Sequence, residues 1–371
     1  MRKLIRNDLS RCTGCNGCVR VCPIDEANVA FMEDDRWKIR IDNEKCIVCG
    51  ACLTACRHGS RIYEDDTEKF IEDLEKGETI SVFCDPAARL NLRDWDRILA
   101  WLRKSGARNI FDVSLGADIC TWAYIRWIQQ NSPKTVISQP CQAIVDYVLL
   151  HNPLLLPYLS PVHSPMMSTA IYMRRYQDIN GKLAAISPCI AKANEFEETG
   201  NLISYNVTFR KLEEYIARSG GSLPAETGDY DHPQTWPGST YSYPGELKEK
   251  VEFFLGSALR VDKSEGPSVV YKALDKFVKD QPLNWPMVFD VLNCCEGCNL
   301  GTGTVHGRSA FEAAAAIENA GNGVHEERER GYFGKMLANF DDNLRLTDFT
   351  RIYHLHATTT KKETRDSLPQ P

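Results

Sequence analysis

Residues 12–23 read CTGCNGCVRVCP, which sets Cys12, Cys15, Cys18 and Cys22 in the spacing C-x2-C-x2-C-x3-C-P. Residues 46–57 read CIVCGACLTACR and repeat that spacing with Cys46, Cys49, Cys52 and Cys56. The chain is internally duplicated over its first sixty residues. Fifteen cysteines in 371 residues are many for a sequence whose opening, MRKLIRNDLSRC, shows no apolar signal segment. In a reducing compartment such a count points to metal rather than to disulfides, so the expected location is the cytoplasm.

Two runs of this kind are used by two-cluster ferredoxins, in which three cysteines wrap one cubane and the fourth reaches across to the other. A tight loop can turn three thiolates inward over one cubane face while the fourth projects the other way. Cys12, Cys15, Cys18 and Cys56 are therefore assigned to one 4Fe-4S cluster, and Cys46, Cys49, Cys52 and Cys22 to a second. Zinc is the competing reading, but structural zinc takes four N or S ligands in paired knuckles, not two complete four-cysteine runs. Arg57 stands where Pro23 follows the first run. A cation there favours the reduced, more negative cluster, so the two potentials should differ.

Working outward, a helix with Phe70, Ile71 and Leu74 on one side is expected to bridge a first domain (1–62) and the body, as a linker over 63–78. The body, 79–355, alternates short β-prone runs (TISVF, NIFDV, TVIS, KLAAIS, MVFDVL) with helical ones. One helix carries Trp95, Ile98, Leu99 and Leu102 at i, i+3, i+4 and i+7, and another is expected near 118–130. Such alternation argues for parallel sheet. The predicted class is α+β: a small ferredoxin-like domain followed by a larger α/β domain with parallel sheets.

Cys141 follows TVIS, Cys189 follows LAAISP, and Cys294 and Cys298 follow VFDVLN. In open parallel sheets ligands bind beyond the carboxyl ends of the strands, so distant strands can aim cysteines at one place. A single cysteine of this kind reads best as a small buried apolar residue. Four in equivalent positions make a third cubane the better reading.

These loops resemble the three signature loops of the FeFe-hydrogenase active-site domain, and the two-cluster domain ahead of them fits the same family over about residues 1–355. SPCIAKANE (187–195) is similar to P-C-x-x-K-x-x-E and supplies Cys189, Lys192 and Glu195. CCEGCNLGTG (294–303) is similar to C-x-x-x-C-x-x-G-x-G, with Cys294 and Cys298, and SQPCQAIV (138–145) resembles T-S-C-C-P-x-W, with Cys141 as its second cysteine. The resemblance implies that Cys141, Cys189, Cys294 and Cys298 hold the 4Fe-4S part of an H-cluster. Cys298 then bridges to a two-iron subsite carrying CO, cyanide and a bridging dithiolate amine. Lys192 donates to a cyanide and Glu195 holds the lysine or its loop. Pro140, Ser187 and Pro188, with Asp85 and Pro86 just past Cys84, count as cofactor contacts. An i, i+3 surface pair is the plain alternative for Lys192 and Glu195.

The same resemblance exposes departures. Catalytic members place a proton-relaying cysteine where this chain has Pro140, which carries neither an ionisable side chain nor an N–H. In GADICTWAYIRW (116–127), Tyr124 and Trp127 occupy the positions of the outer relay glutamates, leaving Ser160 from the usual route. Ser187 stands where methionine is usual. This profile resembles the sensory branch of the family and implies slow conversion of H2 to protons and electrons by an H2 or redox sensor. An electron donor or acceptor protein, maturation proteins and a signalling partner are implied with it. Glu296 and the thiols of Cys84 and Cys295 are candidates for another proton route; packing is the readier explanation of each, and more so of the thiols. Cys120 and His163 read as structural.

Two further readings compete: an efficient hydrogenase with a rerouted proton path, and an iron-sulfur assembly protein without the two-iron subsite. Nucleic acid is excluded as a partner by 44 basic against 50 acidic residues, and no run of 18 apolar residues predicts a membrane span. Residues 222–246, rich in Gly, Pro and Tyr, read as a surface loop, SAFEAAAAIENA past 305 as a helix, and 356–371 as disordered.

Overall fold

The computed structural model describes residues 2–220, 223–232, 236–256, 260–279, 285–304, 311–312 and 326–353. Its amino-terminal unit runs β1 (Ile5–Asn7), α1 (Gly17–Arg20), β2 (Asn28–Glu33), β3 (Arg36–Ile41), α2 (Ala51–Ala55) and β4 (Arg61–Tyr63). β2 and β3 form an antiparallel hairpin, and β1 pairs antiparallel with β4. The duplication seen in sequence recurs in the backbone. Gly14 and Val48, each just before the second cysteine of its run, have φ of 68° and 54°, and Asn16 and Gly50, just after it, have 58° and 75°. For a β-branched residue such as Val48 this conformation costs on the order of 1–3 kcal/mol, so the surrounding loop must fix it.

The body continues with α3 (Thr67–Glu75), β5 (Ile80–Cys84), α4 (Ala88–Asn91), α5 (Trp95–Lys104), β6 (Ile110–Asp112), α6 (Val113–Asn131), β7 (Val136–Ile137), α7 (Gln142–His151) and α8 (Pro165–Arg175). Then come β8 (Lys182–Ser187), α9 (Lys192–Glu198), β9 (Tyr205–Thr208), α10 (Phe209–Arg218), α11 (Trp236–Ser239), α12 (Glu246–Leu255), β10 (Val261–Glu265), α13 (Val270–Lys279), β11 (Val288–Leu292) and α14 (Glu326–Asn343). β6-β5-β8-β9 form one fully parallel sheet and β10-β11-β7 another. The expected class, a ferredoxin-like unit followed by an α/β body with parallel sheets, is what the chain adopts.

α3 is more than a bridge. Phe70, Ile71 and Leu74 enter the same core as Ile98, Leu99 and Leu102 of α5, at about 1.5–3 kcal/mol for each fully buried side chain. The helix expected near 118–130 starts earlier, at Val113, because Asp112 caps it by accepting from the Ser114 N–H at 2.7 Å. α6 is buried on nearly every side, which blurs its periodicity. Gly116 lets it cross α8: a Cβ there would strike Thr169 and the Pro165 carbonyl.

Of the described residues in 222–246, 223–232 are half-buried or exposed, while the stretch around Tyr241 and Ser242 is more than a plain surface loop. Arg97 donates to the carbonyls of Pro224 and Leu223 at 2.6 and 2.9 Å, and Tyr241 and Ser242 turn inward. Phe340, Leu344 and Phe349 are buried and Leu346 packs against the same core, so the stretch from the end of α14 to Phe349 packs onto the body. The expected helix past 305 and the tail lie largely or wholly outside the described residues. Among the described residues, no helix is long and apolar enough to cross a membrane.

Candidate active site

Cys12, Cys15, Cys18 and Cys56 line one hollow of the amino-terminal unit, and Cys22, Cys46, Cys49 and Cys52 line another. Each hollow thus takes three cysteines from one run and the fourth from the other. Arg61, buried, donates to the sulfur of Cys18 at 3.1 Å and is held by the side-chain oxygens of Asn7 and Asn28. Arg57, the cation singled out in sequence, is exposed. Among the described residues no group of three or more His, Cys, Asp or Glu side chains closes on a single ion; the cysteines ring hollows instead.

Past the strand ends of both parallel sheets lies a mostly apolar cavity of about 50 Å³. β5 delivers Asp85 and Pro86 to it, β11 delivers Asp290 and Leu292, and the turn after β7 delivers Pro140. Lys192 enters from α9 and Cys298 from the short turn Gly297–Leu300, while Met166, Tyr241 and Ser242 close the far side. Cys141 sits at the amino end of α7 and Cys189 between β8 and α9. Loops two and three are locked together. Gly303 N–H donates to the Pro188 carbonyl at 2.8 Å, and Ile190 N–H to the Thr302 hydroxyl at 3.1 Å. The Ser187 hydroxyl accepts from Cys189 N–H at 3.0 Å and so shapes its own turn.

The four thiols share one low-dielectric neighbourhood. Burial, and then the neighbouring Cys141, pushes Cys189 up to about 11. Cys294 is raised by burial, then by Cys141 and Cys189, and Cys298 by burial, then by Asp85, Cys189 and Cys294. Thiols buried side by side stay protonated unless a cation compensates them, and the ligand form is the thiolate. An iron-sulfur cluster meets that need, so the donor set fits one. Lys192 adds a cation to the rim. Burial pulls its pKa down, but Glu195, Cys189 and Cys298 hold it up to a net rise. Its Nζ donates to Glu195 Oε2 at 2.5 Å and to the Pro140 carbonyl at 3.0 Å, so the pair is buried rather than a surface one.

The structure keeps other candidates out of the cavity lining. Cys84 packs in the core of the larger sheet, its thiol raised by burial. Ser160 is fully buried; its N–H donates to the Ile137 carbonyl at 2.8 Å and its own carbonyl accepts from Tyr353 at 2.6 Å. Glu296 is half-buried at the start of the Gly297–Leu300 turn, and Cys295 is exposed. Tyr124 is buried and accepts from Gln139 N–H at 3.0 Å, while the Cys120 thiol donates to the His163 carbonyl. Sequence reading missed Asp290, Tyr241 and Ser242. Asp290 was findable, because it alternates with Leu292 along β11 and shares its face; the tyrosine and serine, in a loop-like stretch, carry no such signal.

The sequence family described as iron only hydrogenase large subunit, C-terminal domain, matches residues 79–278, and a 4Fe-4S dicluster domain matches residues 4–57. Among solved structures, one titled as stepwise [FeFe]-hydrogenase H-cluster assembly in HydA(deltaEFG) is similar at a TM-score of 0.58 and 14% identity, over 79% of this chain and 99% of that one. Two variants of [FeFe]-hydrogenase HydA1 from Chlamydomonas reinhardtii align over the same shares at 14% identity, with TM-scores of 0.59 and 0.60. At that identity the likeness speaks for the fold. No curated protein sequence matches the chain. With the family match covering more than half of its residues, the chain belongs to the iron-only, or FeFe, hydrogenases and carries a 4Fe-4S dicluster domain ahead of the family domain.

Proposed function

We propose that this chain binds H2 and converts it reversibly and slowly to protons and electrons at an H-cluster, as an H2 or redox sensor in the cytoplasm. Cys141, Cys189, Cys294 and Cys298 would hold the cubane, with Cys298 bridging to the two-iron subsite. The hollows of residues 1–62 would hold two further 4Fe-4S clusters that feed the body, 79–355. When bound, the subsite supplies H2 binding and cleavage. The chain supplies the rest. Lys192, with two of its three N–H donors committed to Glu195 and Pro140, would turn the third to an anionic ligand in the cavity. Pro86, Met166 and Leu292 would keep water out.

The observation that carries the slow reading is Pro140 on the cavity wall, with no acid-base side chain at that point. A positioned acid-base group is commonly worth about 10²–10⁴ in rate. An electron carrier protein, maturation proteins and a signalling partner complete the proposal. The test is H2 evolution by matured protein with a strong low-potential donor. A rate about 10²–10⁴ below efficient family members is expected, and a rate equal to theirs would overturn the sensory role.

One observation favours the rerouted catalytic reading. Asp85 lines the cavity, and burial, opposed by the Ala87 N–H, pushes its carboxyl up to about 6, near the range of an effective relay. It is better placed for that task than Glu296, Cys84 or Ser160, none of which reaches the lining. Loss of turnover in Asp85→Asn with the cluster retained would support this route, and unchanged turnover would dismiss it.

A further inference from the structure

Asn293, the residue before Cys294, is 3% exposed and has contacts on three sides. Its Nδ2 donates to the carbonyl oxygen of Cys49 at 2.9 Å and faces the sulfur of Cys294 at 3.6 Å. Its Oδ1 accepts from the Tyr271 hydroxyl at 2.8 Å. That pattern fixes the amide's orientation, because both Nδ2 partners are acceptors and a flipped amide would turn oxygen toward oxygen and sulfur. Tyr271 is itself held, 3% exposed with its ring 4.8 Å from that of Tyr147. The contact with the amino-terminal unit is close at the next residue as well: Gly50 has φ of 75°, and a Cβ there would strike the Thr302 side chain.

One side chain therefore spans the backbone of a cysteine in the Cys22/Cys46/Cys49/Cys52 set and the sulfur of a cysteine in the body set. We infer that Asn293, held by Tyr271, is the positioning residue that joins these two cluster sites and raises the reduction potential of the body cubane above the value it would otherwise have. The inference rests on the cluster assignment proposed above. An N–H facing a cluster sulfur stabilises the added negative charge of the reduced state, so it favours reduction. With both clusters bound, one electron would leave the cluster on the amino-terminal set and arrive at the body cubane; no bond would form and no proton need move. A higher potential at the receiving cubane favours that transfer.

The test uses the full chain with its iron-sulfur clusters reconstituted and no two-iron subsite, titrated electrochemically and followed by EPR. Asn293→Leu keeps the volume and removes the side-chain donor. It should make reduction of the body cubane about tenfold less favourable, about 59 mV more negative for one electron, and leave the two amino-terminal clusters where they were. Tyr271→Phe should move the same cubane in the same direction by less. Unshifted potentials in both variants would overturn the inference, as would an equal shift of all three clusters, which is what mere loosening of the interface would give. If Asn293→Leu loses the body cubane, Tyr271→Phe decides alone, and no shift there overturns the inference. Failure of the underlying assignment looks different: the unmodified protein would show no cubane beyond the amino-terminal ones.

Discussion

Lys192 Nζ lies 3.0 Å from the carbonyl oxygen of Pro140, so the second signature loop grips the first through a residue that has no relay chemistry of its own. The same ammonium lies 2.5 Å from Glu195. A buried pair of this kind is costly to break from one side, about 3–5 kcal/mol, because the partner charge is left without compensation. Lys192→Met should therefore lower unfolding free energy by about that amount in a denaturant titration. Adding Glu195→Gln should recover most of the loss, whereas additive losses would show that the two side chains do not act as a pair.

Pro140→Cys would restore an ionisable group on the cavity wall. If the missing relay limits turnover, H2 evolution should rise, with about 10²–10⁴ as the ceiling. No gain in protein shown to carry the full cofactor would place the bottleneck elsewhere, and Asp85→Asn would then be the next variant to assay.

Arg61 puts a guanidinium against Cys18, and it is also the charge that acts most on Cys52, so it stands between the two amino-terminal cysteine sets. A buried cation favours the reduced cluster. Arg61→Gln should shift the potentials of the amino-terminal clusters to more negative values while the body cubane stays put, and Arg57→Gln should do little to either. The reverse ranking of the two arginines would restore the reading made from sequence.

His163 is buried, which pulls its pKa down to about 4, with Glu195 opposing and Arg351 and Arg175 assisting. The unfolded chain binds this proton near pH 6.5, and the folded one does not until about pH 4. Between those values the unfolded state holds more protons, so stability rises with pH and is lost as pH falls. The shift corresponds to about 3 kcal/mol at most. Denaturant midpoints of wild type and His163→Gln should converge as pH drops from 7 toward 4. Parallel curves would mean that His163 does not titrate across this window.

Much of this was legible because the grouping of cysteines is written in their spacing. Cys12 to Cys22 and Cys46 to Cys56 reveal their loops without tertiary knowledge, and the strand-end positions of Cys141, Cys189, Cys294 and Cys298 follow from β-runs alternating with helices. What escaped depends on long-range approach. Arg61 follows no motif, and only the pairing of β1 with β4 carries it back over the first cysteine run. Tyr241 and Ser242 sit in a stretch whose Gly, Pro and Tyr content reads as loop, and nothing local says that it folds inward over the cavity. α6 hid its first turn because a helix buried all round has no polar stripe to mark its phase. Cys84 looked near the pocket because it ends β5, yet along a strand neighbouring residues face opposite ways, and Asp85 is the one that reaches the lining.

The most direct test of the central claim is an infrared spectrum of the protein after maturation. Sulfurs at 141, 189, 294 and 298 that hold a cubane with an attached two-iron unit predict CO and cyanide stretching bands, and these should vanish in Cys298→Ala. Matured protein that carries its cubanes and shows no such bands would contradict the account and leave an iron-sulfur protein without hydrogen chemistry.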